Sequence, residues 1–152
     1  MQKERNIVRI VSIIVLIVVF CFVRTPQGIL CNQFIHANIF HLACNCIALW
    51  AVLGRGIATD IVTLMLAWCL GFIGFCLSPV PVVGVSGIVF ASIGLQAERF
   101  LKSMRNVATI AICLLMGLIV PDISVVAHIV PFALGIAFWL FGKISDDYGE
   151  VR

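Results

Sequence analysis

Ser86 sits in the tetrapeptide Gly84-Val85-Ser86-Gly87, and His128 follows 42 residues later. A serine hydroxyl is a poor nucleophile until a neighbouring base takes its proton. The other two histidines, His36 and His41, lie together in an earlier segment, so His128 is the candidate base. No acidic residue follows His128 before Asp146, so a Ser-His dyad is expected rather than a triad. Orientation of the imidazole then falls to packing. Phe90, four residues after Ser86, shares its helix face and is placed to stack on the ring. Gly84 and Gly87 let backbone and substrate approach closely. A serine at a helix start also lies beside free backbone N–H groups that stabilise an oxyanion. Taken alone, G-x-S-G equally describes a helix-capping serine, and a lone histidine can be held by a loop carbonyl.

His41 and Asn45 are four residues apart and share one helix face. His36 is five residues before His41, about 140° around an ideal helix, and joins that face only at a frayed start. Histidine and asparagine can donate hydrogen bonds to an oxyanion. They can also clasp two helices together. Cys44 and Cys46 are near, but four ligands at matching spacing are missing, so no metal is expected.

The elements that must position these groups are apolar. The 152 residues are 62% hydrophobic and 11% charged, with mean hydropathy +1.19. A soluble domain averages about 45–50% apolar and about 25% charged, so the bilayer is the expected solvent. Apolar runs predict six helices, at about 7–23, 35–53, 61–77, 86–97, 107–120 and 126–141, in a single domain spanning 1–152. The fourth is too short to cross a hydrocarbon core about 30 Å thick. Pro79 and Pro81 put extended chain before it. The first run also resembles a signal peptide. No small-x-small site follows it at Phe20 to Arg24, so it is expected to be retained.

With the N-terminus in the cytoplasm, nine of the ten Lys and Arg residues fall inside and only Arg24 outside. Both termini are then cytoplasmic, and the polar set lies toward the outer face. The net charge of +3 reads as orientation signal, not as a nucleic-acid patch. Seven cysteines at irregular spacing make no disulfide framework, although Cys31 and Cys76 both fall in outer loops.

These residues together resemble the rhomboid family. The likeness rests on H-x4-H-x3-N (His36, His41, Asn45), G-V-S-G (Gly84 to Gly87), and Ala127-His128, with Gly94 and Gly135 matching family glycines. The resemblance implies an all-α polytopic membrane protein, a rhomboid-like bundle of six transmembrane helices around a short central fourth helix. It implies intramembrane proteolysis without metal or cofactor. Ser86 is then the nucleophile, His128 the base, and His41, Asn45 and the Ser86 N–H the oxyanion hole, with His36 assisting. Gly94 and Gly135 would pack the fourth and sixth helices closely. Partners would be single-pass membrane substrates and the lipid bilayer, in a bacterial inner membrane. The alternatives are a non-cutting rhomboid-like protein that binds membrane helices, and a small transporter, for which the almost wholly apolar fifth helix offers no polar path.

Two departures from the family pattern carry expectations. The loop of about Arg24 to Gln33 is short and lacks the family's Trp-Arg pair. Pro131 replaces the first glycine of A-H-x-x-G-x-x-x-G. A proline in the first turn costs little hydrogen bonding, but its ring is bulkier than glycine and could hold the sixth helix away from Ser86.

Overall fold

A computed structural model describes residues 6–23, 32–119 and 123–150. Of the loop expected at about Arg24 to Gln33, residues 24–31 lie outside the described residues, as do the turn expected at Pro121-Asp122 and the Cys31–Cys76 pairing. Within them the chain forms seven α-helices and no strand: α1 (Ile7–Phe22), α2 (Ile39–Val52), α3 (Ile57–Leu77), α4 (Ser86–Leu95), α5 (Ala97–Phe100), α6 (Met104–Ile119) and α7 (Val126–Glu150). A 3-10 turn, Asn32–Phe34, precedes α2.

Several helix limits differ from the sequence expectation, each for a local reason. Helix α2 begins at Ile39 rather than 35, because Asn38 is extended and its side chain accepts the His41 N–H at 2.9 Å. Helix α3 begins at Ile57 rather than 61. Asp60 stands in its first turn, where a carboxylate suits the helix dipole, and accepts the N–H groups of Gly54 and Arg55 at 2.8 and 3.1 Å. The fourth segment breaks at Gln96, leaving α5 as a single turn. Helix α6 starts at Met104, three residues before the apolar run. Helix α7 runs on to Glu150 instead of stopping at 141, because the fall in hydropathy marks where the run turns polar and not where the helix ends.

Two helices, Ile57–Leu77 and Val126–Ser145, are long and apolar enough to cross a bilayer by themselves. The other apolar helices of α1, α2, α4 and α6 have 10–17 residues. Large apolar side chains point outward all round the bundle, among them Phe22, Phe40, Ile47, Leu118 and Ile119. Such a surface requires apolar surroundings.

Helix α4 is the hub. It packs against α7, α3 and, to a lesser extent, α2. Ile88, Val89, Phe90, Ala91, Ser92 and Gly94 are all buried on it. At ten residues it is about 15 Å long. Its crossing with α7 is backbone against backbone. A Cβ on Gly135 would meet the Ala91 carbonyl, the Leu95 nitrogen and Gly94 Cα, and a Cβ on Gly94 would meet Phe132 and Ile136 backbone in return. No side chain larger than hydrogen fits at either position, so the two glycines fix how deeply the helices interlock. Helix α6 lies at the rim, in only slight contact with the rest.

The end of α2 is tied down by side chains. Arg9 donates to the Leu53 carbonyl from Nε at 3.1 Å and from Nη2 at 2.6 Å. Arg99 donates to the carbonyls of Ala51 and Val52, and Gln96 also donates to Val52. Basic groups at a helix C-terminus satisfy its free carbonyls and complement its dipole.

Candidate active site

The stretch from Ser78 to Val85 is non-helical, as its prolines require. It is anchored to the start of α7. Ser78 Oγ lies 2.7 Å from Ser124 Oγ, and Ser124 Oγ accepts the Ala127 N–H at 3.2 Å. This tie fixes the distance between the turn that delivers Ser86 and the turn that delivers His128. Gly84 then bends the chain into α4 with φ +103°, a conformation that disfavours any side chain.

Ser86 is the first residue of α4, and Val85 holds the N-cap position. Its hydroxyl therefore does not cap the helix. Instead Ser86 Oγ lies 2.8 Å from His128 Nε2, a geometry in which the hydroxyl donates to a neutral imidazole. The Phe90 ring centroid is 4.9 Å from that of His128, tilted 34°. His128 Nδ1 is buried without an acceptor among the described residues, so packing on Phe90, not a carboxylate, orients the ring.

His41 and Asn45 both reach the outer side of Gly84. A Cβ there would come within 2.7 Å of His41 Cε1 and Nε2 and 3.2 Å of Asn45 Nδ2. Asn45 is 5% exposed, and its Nδ2 has no acceptor among the described residues. His36 lies before α2, not on it. Its Nδ1 is 3.1 Å from the Phe34 carbonyl, and its ring meets that of His41 edge-on at 5.2 Å. The structure thus gathers Ser86, His128 and Phe90, and sets His41 and Asn45, with His36 against His41, beside the Gly84 turn two residues before Ser86. Gly87 packs against the Ala127 carbonyl, which brings the turns that carry Ser86 and His128 into contact.

Three contributors were not legible as site residues. Ser78 and Ser124 act through the loop tie, and Ser124 carried a detectable signal, a serine three residues before the N–H it caps. Gln33 is 3% exposed and both atoms of its amide are unpartnered among the described residues. It borders a cavity of about 10 Å³ that also touches Gly84, Gly87 and Ala127. Among the described residues no cluster of three His, Cys, Asp or Glu side chains offers a metal site.

The family model of the rhomboid domain matches residues 24–143, most of the chain and every candidate site residue. The chain belongs to the rhomboid family. No curated protein matches it. An all-helical rhomboid domain in a membrane protein is thus the frame for the site.

Pro131 does not hold this rhomboid's α7 away from Ser86. Its ring turns toward α3, where a Cβ on Gly74 would lie 2.6 Å from Pro131 Cδ. The ring is fully buried there, and the Ser86–His128 distance stays within a hydrogen bond.

Proposed function

We propose that this rhomboid is an intramembrane serine endopeptidase that cleaves single-pass transmembrane proteins. The observation that carries the reading is the 2.8 Å approach of Ser86 Oγ to His128 Nε2, with no other side-chain hydrogen bond to either group among the described residues. Ser86 Oγ attacks the scissile carbonyl carbon while His128 takes its proton. The carbonyl oxygen becomes an oxyanion, received by the Ser86 N–H, His41 and Asn45. The tetrahedral centre collapses, the C–N bond breaks, and His128 returns the proton to the leaving amine. Water, deprotonated by His128, then hydrolyses the acyl-serine ester and frees Ser86. His36 holds the His41 ring at its edge. No metal or cofactor enters these steps.

The proposal extends to the setting. Six spans place both termini in the cytoplasm of a bacterial inner membrane, with the dyad toward the outer face. The single-sided distribution of Lys and Arg supports this orientation. A substrate helix must unwind to present a peptide bond to Ser86, so easily unwound membrane segments are favoured.

The test is labelling of the detergent-purified protein by a fluorescent fluorophosphonate, beside Ser86→Ala and His128→Ala. Labelling of the wild type alone supports an activated serine. Absence of labelling in a folded wild type overturns the protease reading and favours a rhomboid-like protein that binds membrane helices without cutting them.

A further inference from the structure

Away from the dyad, α1, α2 and α3 enclose a cavity of about 200 Å³. Ser12, Leu16, Leu49, Leu64 and Trp68 line it, and Ile88 of α4 closes the back. Apart from Ser12 the lining side chains are apolar or aromatic. A cavity of this size and lining, about 150 Å³ or more, stays dry and takes apolar guests. It opens sideways between α1 and α3, which touch sparsely, because Val11, Val15 and Trp68 are at once lining and exposed. An opening in that direction faces hydrocarbon.

Directly below the cavity lies a cluster of charges. Each helix places a cavity residue one turn from a member of that cluster: Ser12 above Arg9, Leu49 above Leu53, whose carbonyl Arg9 holds, and Leu64 above Asp60. Arg9, Arg55 and Arg99 share this end of the bundle. Burial, then the nearby Arg55 and Arg9, lower the Arg99 pKa, and Asp60 opposes them. Among the described residues Asp60 is the one carboxylate facing the three guanidinium groups, and it is occupied by two backbone N–H groups. Arg9 uses three N–H bonds of its five, and the Arg55 side chain has no hydrogen-bond partner among the described residues. Among the described residues, positive charge is left in excess directly below an apolar slot.

We infer that this seam binds one anionic glycerophospholipid, its phosphate against Arg55, Arg9 and Arg99 and one acyl chain in the cavity. Guanidinium groups pair with phosphate oxygens through paired N–H donors, and basic pockets between membrane helices select anionic headgroups. The site is separate from the dyad and does not depend on proteolysis.

The test is native mass spectrometry of the full chain in detergent, titrated with phosphatidylglycerol and phosphatidylcholine of identical chains. The wild type is expected to hold phosphatidylglycerol at least about fivefold more tightly, the worth of one well-placed arginine. Arg55→Gln removes no structural bond and should abolish that preference with the melting temperature unchanged. Ser12→Phe, or Leu64→Phe should the first fail to fold, fills the cavity and should weaken retention of both lipids. Equal binding of the two lipids by the wild type, or a preference that survives Arg55→Gln, overturns the headgroup site. Undiminished lipid binding in a folded cavity-filled variant overturns the chain site.

Discussion

Pro131 of α7 fits its ring into the gap left by Gly74 of α3, so close that a Cβ on Gly74 would lie 2.6 Å from Cδ and 2.8 Å from Cγ of the ring. The pair sets how near α7 comes to α3, and with it the placement of His128. Gly74→Ala must therefore push Pro131 outward. Overpacking of this kind costs about 1–3 kcal/mol. The expected outcome is a lowered melting temperature and a larger fall in fluorophosphonate labelling. Pro131→Ala removes the ring atoms that clash, so the double variant should regain labelling lost in Gly74→Ala. Additive losses in the double variant would refute the coupling.

Gly135→Ala tests the other contact of α7. Its Cβ would meet three backbone atoms of α4, all within about 3 Å, and backbone cannot rotate aside. Labelling and thermal stability should both fall. Gly142→Ala is the internal control, since nothing lies within 4 Å of a Cβ there. By helix propensity it should stabilise α7 by about 0.5–1 kcal/mol and leave labelling intact. Equal behaviour of the two variants in thermal melts would remove the close crossing from the account.

The dyad was legible because each member announces itself locally: Ser86 by flanking glycines after two prolines, His128 as a solitary ionisable group opening an apolar run. The pairing of Gly74 with Pro131 was not. It joins residues 57 apart in sequence, and neither carries a polar mark. From the sequence only the bulk of the Pro131 ring was visible, and not that Gly74 leaves room for it. The start of α3 was misplaced because it was drawn at Ile61, where the apolar run begins, one residue after Asp60. Only the fold shows that Asp60 accepts Gly54 and Arg55 N–H groups. Similarly, the end of α7 was read from hydropathy, which marks where a helix leaves apolar surroundings rather than where it stops.

Asn45 separates an oxyanion donor from a helix clasp. Its Nδ2 is buried without an acceptor among the described residues. A clasp would lose a bond on truncation and lower stability. An unpaired buried donor instead carries a desolvation penalty, about 1–3 kcal/mol, that truncation relieves. Asn45→Ala is therefore expected to melt no lower than wild type. Cleavage of a membrane substrate should slow by about 10²-fold, as for loss of one oxyanion donor. A drop in melting temperature with cleavage unchanged would assign Asn45 to the clasp.

Asp60 offers the reverse separation, stability without chemistry. It is 1% exposed, and its two oxygens accept the Gly54 and Arg55 N–H groups at the turn between α2 and α3. Asp60→Asn keeps the shape but exchanges one acceptor for an N–H donor, which then faces a backbone N–H. Hydrogen bonds to a charged group are worth about 1.5–3 kcal/mol, so a loss of that order is expected in denaturation of the detergent-solubilised protein. The dyad is carried by α4 and α7, and Asp60 touches neither Ser86 nor His128. At a temperature where the variant remains folded, its labelling rate should thus match wild type. A slowed rate there would mean that the α2–α3 turn helps to align the dyad, and that the charge cluster and the site are mechanically coupled through α3.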